Sequence, residues 1–406
     1  MFALFFVVAC GGGGSGGESG GSVPPVTLSP ERVTFSGAGT VGIFDPSVAF
    51  DPASGNLWMS YSSEEMSIFY ASSLYWTVST RLAFSSDNGA SWQDAGVAVA
   101  PAVESLVGPM TEAHPTGSIP AGSQGIWQSE TSSLIYDPSA LAAERWKLIW
   151  HQYLNANLTS FFADYGWIAM KMAATPLDLA SATPVKLFAG AGLQSAGSNT
   201  GSPVFSPSGG APAIQLNVDV TRSLGGANPA ELNLCIFAEP GLHATNSAVY
   251  LAIFCADAAT MPITEYLVYF RCASPCNMTS ASSWEYLGRL LTPADAQAAT
   301  GDHHYQAPAL VEKNGVTYLV VTPVENLSTE RYNGCRVYEF VDVDSNQLRR
   351  NNGQLVEVSR IEGTPGTHNG ACAAFSGLQG GILLSQFEPA SSAQTFKIYK
   401  SQVSLP

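Results

Sequence analysis

A pattern of short apolar runs separated by turn residues recurs along the chain, and it restricts the fold more than any other feature. Residues 42–92 contain four such runs, each closed by Gly, Pro, Ser, Asn or Asp. Runs of this kind are typical of consecutive antiparallel strands. A fresh copy opens at residues 132–138, Ser-Ser-Leu-Ile-Tyr-Asp-Pro, which repeats residues 47–52, Ser-Val-Ala-Phe-Asp-Pro. A four-strand unit that starts again along the chain predicts the blades of an all-β propeller.

Counting the copies predicts five blades in one domain that spans residues 25–406. The last copy has only three strands, and the missing fourth is predicted to be the single strand around Val33 at the other end of the chain. Such an exchange would join the chain ends and remove the open edge of the ring. Six blades remain an alternative, which would need a hidden blade around the weak apolar run at residues 213–218.

The composition supports a large core and excludes some partners. The chain has 406 residues, of which 46% are hydrophobic and 12% charged, and its formal net charge is -15. Because no cluster of Lys and Arg could neutralise phosphates, we expect no nucleic-acid partner and no direct binding to an anionic membrane surface. We expect a monomer.

The N-terminus resembles a bacterial lipoprotein signal. A short apolar run leads to Val7-Val8-Ala9-Cys10, which is similar to a lipobox, although no Lys or Arg precedes the run. Residues 11–22 are almost entirely Gly and Ser, the composition of a flexible tether. We therefore expect residues 1–24 to be a signal and tether, with Cys10 lipidated and the chain exported to the bacterial cell envelope. An ordinary apolar N-terminus is the alternative.

Six further cysteines suggest disulfides in an exported chain. Cys235 and Cys255 fall on strands predicted to be adjacent, and Cys272 and Cys276 could close a local loop. The sequence leaves the pairing open, with buried thiols as the alternative.

The run Ser85-x-Asp87-x-Gly89-x-x-Trp92 resembles the Asp-box of sialidase-like propellers. Its Asp would accept hydrogen bonds from the turn, its Gly would adopt a positive φ, and its Trp would pack between blades. The motif therefore indicates the fold and not an activity.

Polar residues precede the predicted first strands, which converge on the propeller axis. Alignment of the strand ends puts five residues in register: Asp45, Thr131, Asn233, Gln306 and Gly370. Glu130 and Glu231 lie beside two of these positions, and His304 and His368 lie beside two others. Blades one to three are thus predicted to bring a carboxylate to the axis, and blades four and five an imidazole.

This arrangement resembles the five-bladed propeller glycosidases, the arabinanase, β-xylosidase and invertase-like enzymes. Residues 45–48, Asp-Pro-Ser-Val, match the opening of blade one in that group, and residues 366–370, Gly-Thr-His-Asn-Gly, are similar to its blade-five loop. The resemblance implies that Asp45 is the catalytic base, that a later Glu is the general acid, and that His368 lies near an axial metal such as Ca²⁺. Glu130 and Glu231 match no motif of the group.

Glycosidic cleavage needs one protonated carboxyl and one ionised carboxylate. We expect Asp45 to be the base, Glu231 the acid, and Glu130 the residue that tunes the pair; capping or pairing near a strand start is the structural alternative for each. Further substrate contacts are expected from a set of aromatic and polar residues: Trp127, His304, Tyr305, Gln306 and His368. For Trp127 and Tyr305, packing between blades is the alternative.

The sequence thus predicts a surface-tethered propeller that acts on carbohydrate by hydrolysis. A non-catalytic propeller that binds glycan or protein is the competing hypothesis, since this fold hosts both. A sialidase is disfavoured because no arginines stand at the blade starts, and a serine hydrolase because no Gly-x-Ser-x-Gly elbow is present. Asp302, His303, His304 and His368 could bind a transition metal or accompany Ca²⁺, but their spacing is not that of a catalytic zinc site on a helix.

Overall fold

A computed structural model describes the chain in fifteen segments: 31–37, 41–70, 73–106, 110–112, 117–119, 124–156, 160–189, 205–206, 232, 235–257, 263–325, 331–363, 367–377, 381–388 and 395–406. The predicted signal and tether, Glu231 and the weak run at residues 213–218 lie outside these segments. Among the helices described, none has the length and apolar character needed to cross a membrane.

Blade one follows two short strands, β1 (Glu31–Arg32) and β2 (Thr34–Ser36). Its four antiparallel strands are β3 (Gly42–Phe50), β4 (Leu57–Tyr70), β5 (Ser73–Ser85) and β6 (Ser91–Val99). Strand β2 pairs in parallel with the outer strand β6. The predicted blade, which ends at Val99, is confirmed.

Blade two begins after three short strands, β7 (Ala102–Leu106), β8 (Met110–Glu112) and β9 (Gly117–Ile119). Its main strands are β10 (Gln124–Tyr136), β11 (Trp146–Ala156), β12 (Ser160–Ala173) and β13 (Val185–Ala189). Strand β7 extends this sheet beside β10, and β14 (Phe205–Ser206) pairs with β7. Two short 3₁₀ helices, Ala142–Glu144 and Leu177–Ala180, connect the strands.

Blades three and four are built in the same way. Blade three comprises β15 (Cys235–Ala244), β16 (Ala248–Asp257), β17 (Thr264–Ala273) and β18 (Trp284–Leu291), with a 3₁₀ turn at Ala281–Ser283. The helix α1 (Pro293–Ala299) leads to blade four. Blade four comprises β19 (His304–Lys313), β20 (Val316–Val324), β21 (Gly334–Asp342), the short strands β22 (Gln347–Leu348), β23 (Arg350–Asn351) and β24 (Gln354–Leu355), and the outer strand β25 (Glu357–Glu362).

Blade five takes its outer strand from the N-terminal part of the chain, as the sequence predicts. Its other strands are β26 (Asn369–Ala373), β27 (Leu383–Glu388) and β28 (Thr395–Lys400). Strand β1 pairs antiparallel with β28, and the Val33 backbone N–H donates a 3.0 Å hydrogen bond to the Ile398 carbonyl. This pairing closes the ring and covers the edge that β28 would otherwise expose.

Five apolar clusters fill the gaps between neighbouring blades. Each contains buried residues of two blades, represented by the pairs Leu82 and Leu148, Ile149 and Phe237, Tyr269 and Leu319, Val337 and Leu384, and Met59 and Leu383. The last pair joins blade five to blade one. The described residues therefore form a five-bladed β-propeller, and the alternative with six blades is not needed.

Disulfides reinforce this packing, as the even number of cysteines indicated. Cys235 is bonded to Cys255 on the adjacent strand, and Cys272 to Cys276 within a local loop. Cys335 is bonded to Cys372, which links blade four to blade five. The sequence had left all three pairings open.

The turn between β5 and β6 contains the residues of the proposed Asp-box. The Asp87 carboxylate accepts hydrogen bonds from the Ser91 backbone N–H at 2.9 Å and the Ser91 hydroxyl at 2.6 Å. These bonds, with one from Ser85, lower the pKa of Asp87 to about 2. Gly89 has a φ of 87°, and Trp92 is buried beneath the turn. Asp87 is thus held by its own turn, a structural role.

Candidate functional site

The first strand of every blade has a β-bulge at the same level of the axis. The residues at the bulges share a positive φ of 47–52°: Asp45, Thr131, Glu239, Ala307 and Ala371. The pairing register with the second strand shifts at each of these points. A bulge redirects a side chain, and a non-glycine residue at positive φ is uncommon outside turns and functional sites. The ring of bulges therefore defines one level at which five residues face the same region.

Neighbouring blades hold these bulges in place. The backbone N–H groups at four bulges donate to side chains of the preceding blade: Asp45 to Ser385 Oγ (2.8 Å), Thr131 to Ser62 Oγ (3.1 Å), Ala307 to Glu239 Oε2 (2.7 Å) and Ala371 to Thr322 Oγ1 (2.8 Å). A bulge removes a backbone group from the strand ladder, so a side-chain acceptor prevents a buried donor from remaining unpaired.

Small residues follow the bulges because the strands come very close to the axis. A Cβ atom added to Gly241 would lie 2.1 Å from the Pro308 carbonyl oxygen. Blades one and two have the small residues Ser47 and Ser133 at the equivalent positions. Their hydroxyls accept hydrogen bonds of 3.0 Å from the backbone N–H groups of Leu134 and Leu242. The first strands therefore pack closely against one another immediately after the bulges.

Three carboxyl groups from successive blades meet at the bulge level. Asp45 and Glu239 line a cavity of about 40 Å³ together with Thr131, and Glu130 immediately precedes Thr131. The three acidic residues are buried, with exposed fractions of 8%, 5% and 7% for Asp45, Glu239 and Glu130. Buried carboxyls at such proximity repel one another when ionised, so the cluster retains protons that isolated acids would lose.

The pKa of Asp45 is raised, and its carboxylate accepts a hydrogen bond from Ser62. Burial raises the pKa of Asp45 well above its ordinary value, and the negative charges of Glu130 and Glu239 raise it further. Ser62 Oγ donates to Asp45 Oδ2 at 3.0 Å and opposes this shift. The same hydroxyl accepts from the backbone of Thr131, so Ser62 connects the acid of blade one to the bulge of blade two.

Glu239 has the environment of a general acid. Both of its oxygens accept hydrogen bonds, Oε1 from the Tyr332 hydroxyl at 2.6 Å and Oε2 from the Ala307 backbone at 2.7 Å. Burial raises the pKa of Glu239 to about 7 despite these bonds, and the charge of Glu130 contributes to the rise. A carboxyl with this pKa carries a proton near neutral pH and can release it.

Glu130 is fixed by the neighbouring strand. The Tyr153 hydroxyl donates to Glu130 Oε2. Burial, followed by the charge of Glu130, raises the pKa of Tyr153 well above its ordinary value, so the phenol remains a donor. A fourth acid, Glu64, lies nearby on β4, and burial raises its pKa to about 7, with Glu130 contributing. The charge of Glu130 thus raises the pKa of the other three acids of the site, Asp45, Glu239 and Glu64.

Among the described residues, the acidic residue at the bulge of blade three is Glu239; Glu231, which the sequence alignment had chosen, lies outside them. The predicted register placed Asn233 level with Asp45, but β15 runs to Ala244 and its bulge lies at Glu239. In blades four and five, the bulges lie at Ala307 and Ala371, one residue after the predicted Gln306 and Gly370. A local signal marks the correct register: residues 239–242, Glu-Pro-Gly-Leu, repeat the acid-Pro-small-apolar order of residues 45–48.

Trp127 and Tyr305 lie inside the protein. Trp127 is 3% exposed, and its ring lies 4.3 Å from that of Trp167 in the cluster between blades one and two. Tyr305 is 2% exposed, and its hydroxyl lies 2.6 Å from that of Tyr338. Both rings take the packing role that the sequence had left as their alternative, and neither offers an open face to a sugar.

The two predicted imidazoles have different surroundings. His304 is fully buried, with Gln306 Nε2 2.9 Å from its Nε2. The His368 ring stacks on Tyr332 at 4.4 Å and packs edge-on against Phe396. Burial lowers the pKa of His368 to about 4, and the positive charge of Arg331 adds to the effect. The positive charge of Arg331 does not favour the axial cation that the resemblance implied, and among the described residues His368 belongs to no group of three or more His, Cys, Asp or Glu ligands.

A larger cavity lies at the opposite end of the first strands. It has a volume of about 380 Å³ and is lined mainly by apolar residues, among them Phe50, Leu310 and Phe375. Glu312 is its one acidic lining residue in the described part of the chain. Because acid–base cleavage needs paired carboxyls, this cavity does not fit that chemistry.

No protein-family model and no curated protein matches the chain. Solved structures do match. A family 117 glycoside hydrolase from Zobellia galactanivorans is 9% identical, with a TM-score of 0.46 over 92% of this chain and 89% of that one. An endo-arabinase from Bacteroides thetaiotaomicron is 12% identical, with a TM-score of 0.42 over 94% and 98%. An endo-arabinanase from Bacillus licheniformis is 13% identical, with a TM-score of 0.42 over 91% and 96%. At these identities the likeness concerns the fold alone.

Proposed function

We propose that the chain hydrolyses glycosidic bonds at the bulge level of the propeller axis. The observation that carries this proposal is that Asp45 and Glu239 line one small cavity, with a third buried carboxyl, Glu130 of the blade between them, close enough to raise the pKa of both. Paired carboxyls of which one stays protonated are what glycosidic cleavage requires.

In this mechanism Glu239 is the general acid. Its pKa of about 7 keeps a proton available for the leaving oxygen, and Tyr332 and the Ala307 backbone hold the carboxyl in position. As the glycosidic bond breaks, the proton moves from Glu239 to that oxygen, and the two hydrogen bonds stabilise the carboxylate that forms.

Asp45 is the base that activates water, as its resemblance to the blade-one aspartate suggested. Burial and the charges of Glu130 and Glu239 raise the pKa of Asp45, whereas the Ser62 hydroxyl and the Thr131 backbone favour its ionised form. A proton on Glu239 removes one of the opposing charges, so Asp45 ionises while Glu239 stays protonated. Glu130 acts as a positioning residue, because its charge raises the pKa of both Asp45 and Glu239. When Asp45 is ionised, its charge and that of Glu130 favour retention of the remaining proton on Glu239.

A polyhydroxylated ligand also suits the polar groups around this level. The Thr131 hydroxyl and both side-chain polar atoms of Asn369 are buried without a hydrogen-bond partner among the described residues. Both residues lie at or within two positions of a bulge. Sugar hydroxyls and bound water can donate and accept, and so could satisfy such groups.

We propose in addition that the enzyme is exported and tethered by a lipid on Cys10. The lipobox-like run before Cys10 and the Gly/Ser segment after it support this location, and three disulfides agree with an oxidising compartment. The intact mass of the N-terminal peptide tests it: diacylglycerol on Cys10 is expected, and an unmodified Cys10 would refute the tether.

The hydrolase proposal is tested with a panel of polysaccharides and aryl glycosides. The wild-type chain is assayed beside Asp45→Asn and beside Asp51→Asn, which changes an equally buried aspartate at the other end of the same strand. We expect at least one glycan to be cleaved by the wild type and Asp51→Asn, with Asp45→Asn slowed by a factor of about 10²–10⁴. Glycan binding without any cleavage would instead support the non-catalytic propeller.

A further inference from the structure

We infer that a divalent transition-metal ion, with zinc as the best fit, binds between blades three and four to Glu265, His303 and His304. These residues offer His303 Nδ1, His304 Nδ1 and Glu265 Oε2, and they are the group of potential ligands that the described residues bring together. The site is separate from the carboxyl cluster at the axis and needs none of its residues.

The three ligand atoms are spaced as a metal would hold them. The two Nδ1 atoms are 2.9 Å apart, and Glu265 Oε2 lies 3.0 Å from His304 Nδ1 and 3.7 Å from His303 Nδ1. A tetrahedral zinc ion with bonds of ~2.0–2.1 Å separates its ligands by roughly 3.3–3.4 Å. The observed distances bracket that value, so an ion at the centre needs only small adjustments.

Hydrogen bonding alone satisfies this triangle poorly. A neutral imidazole carries one ring N–H, and a proton on His304 Nδ1 could point along one hydrogen bond only, to His303 or to Glu265. The two rings are perpendicular, with centroids 5.2 Å apart, and their Nδ1 atoms approach to 2.9 Å. A cation bound among the three ligand atoms interacts with all of them at once.

Gln306 supports the required tautomer of His304. Its Nε2 lies 2.9 Å from His304 Nε2, while its buried Oε1 has no hydrogen-bond partner among the described residues. Exchange of the two ends of the amide, which are hard to distinguish by shape, lets Oε1 accept a hydrogen bond from the N–H at His304 Nε2. The proton then resides on Nε2, and the Nδ1 lone pair is available to the metal. An outer partner of this kind is usual for histidine ligands.

The position of the cluster gives the ion a structural role. Glu265 lies on β17 of blade three, and the two histidines lie at the start of β19 in blade four. The ion would thus join two blades, as the Cys335–Cys372 disulfide joins the next two. Glu265 and His304 are buried, but the His303 side chain is 35% exposed, which leaves a fourth position for water.

Titration of the tag-free, metal-stripped chain with Zn²⁺ tests the site, with Co²⁺ as a spectroscopic probe. We expect one Zn²⁺ per chain, a rise in the melting temperature on binding, and the visible absorption of four-coordinate Co²⁺. His303→Ala and Glu265→Gln should weaken the affinity by at least ~10–100-fold, the range caused by loss of an outer partner alone. His243→Ala, a half-buried histidine outside the cluster, should bind as the wild type does.

Two results would overturn the inference. One is a wild-type chain that neither binds stoichiometric Zn²⁺ nor develops the Co²⁺ absorption. The other is equal affinity of the wild type, His303→Ala and Glu265→Gln, which would put the ion elsewhere. Circular dichroism of each apo variant establishes folding, and because the wild-type Co²⁺ spectrum needs no substitution, it decides the question even where a variant fails to fold.

Discussion

The Tyr332 hydroxyl donates a 2.6 Å hydrogen bond to Glu239 Oε1, and this bond crosses from blade four to the acid of blade three. Burial, with the charge of Glu239, raises the pKa of Tyr332 well above its ordinary value, so the phenol stays protonated over the whole working range. The bond favours the ionised form of Glu239 and lowers its pKa. Tyr332 therefore lowers the pH at which Glu239 loses its proton, against the larger opposite effect of burial.

Replacement of this phenol should shift the pH profile. In Tyr332→Phe the ionised form of Glu239 loses a donor worth about 1.5–3 kcal/mol, so its pKa rises by roughly one to two units. Since the acid must be protonated, the alkaline limb of kcat/KM, expected near pH 7, should move upward by that amount. Tyr305→Phe removes an equally buried phenol from the interblade core and should leave the limb in place; equal shifts in both variants would contradict the account.

Removal of the acid should depend on the leaving group. Glu239→Gln is expected to slow cleavage of a natural glycan by about 10²–10⁴-fold, because the departing oxygen then lacks a proton donor. An aryl glycoside with an acidic phenol needs no such help, so its rate should fall far less. Glu231→Gln, the acid that the sequence alignment had favoured, serves as the comparison. A leaving-group dependence in Glu231→Gln but not in Glu239→Gln would reverse the assignment.

The raised pKa of Glu64 predicts that the free energy of unfolding depends on pH. Folding raises this pKa from 4.5 to about 7, so the folded state binds the proton more tightly than the unfolded chain. The contribution of Glu64 to the free energy of unfolding is therefore lost as the pH rises from about 4.5 to about 7. Relative to wild type, Glu64→Gln should gain stability over this window, by about 3 kcal/mol at the plateau above it.

Denaturant unfolding at pH 5 and pH 8 measures this difference. Glu285→Gln, which removes a carboxylate that is 62% exposed on the surface of blade three, is the control. A relative stability of Glu64→Gln that does not change with pH would show that the carboxyl is not buried as described.

The disulfides should contribute unequally to stability. Cys335 and Cys372 are 37 residues apart and join two blades, whereas Cys272 and Cys276 are separated by four residues. The entropy of loop closure predicts losses of about 4 kcal/mol for the double Cys→Ser variant of the long loop and about 2 kcal/mol for that of the short one. Chemical denaturation of the two double variants gives the comparison, and an equal or reversed order would contradict it.

The sequence predicted the scaffold well because each blade repeats a local signal. The repeat of residues 47–52 at residues 132–138 identified blades one and two, and the apolar strand around Val33 identified the closure of blade five. These features depend on turn residues and apolar periodicity, which are properties of short segments. Asp45 and Glu130 were placed at the axis for the same reason, and the structure puts both at the bulge level.

The rest depends on contacts that are distant in sequence. Glu239 was missed because the apolar run before it was interpreted as a complete strand, whereas β15 continues through the bulge to Ala244. Trp127 was predicted to contact a sugar because the sequence does not show that Trp167 packs against its ring. Glu265 carried no signal at all, since it is an acidic residue at the start of β17 and meets His304 only after two blades have packed.

The proposed mechanism requires Asp45 and Glu239 to act as one catalytic unit, and a double-mutant cycle measures this directly. The cycle compares kcat/KM on a cleaved glycan for wild type, Asp45→Asn, Glu239→Gln and the double variant, with Asp51→Asn as the control. We expect each single change to cost about 10²–10⁴-fold and the double variant to be within roughly tenfold of the slower single one, because residues of one unit are not additive. A double variant whose loss in kcat/KM equals the product of the two single losses would contradict this expectation. So would single variants as active as Asp51→Asn.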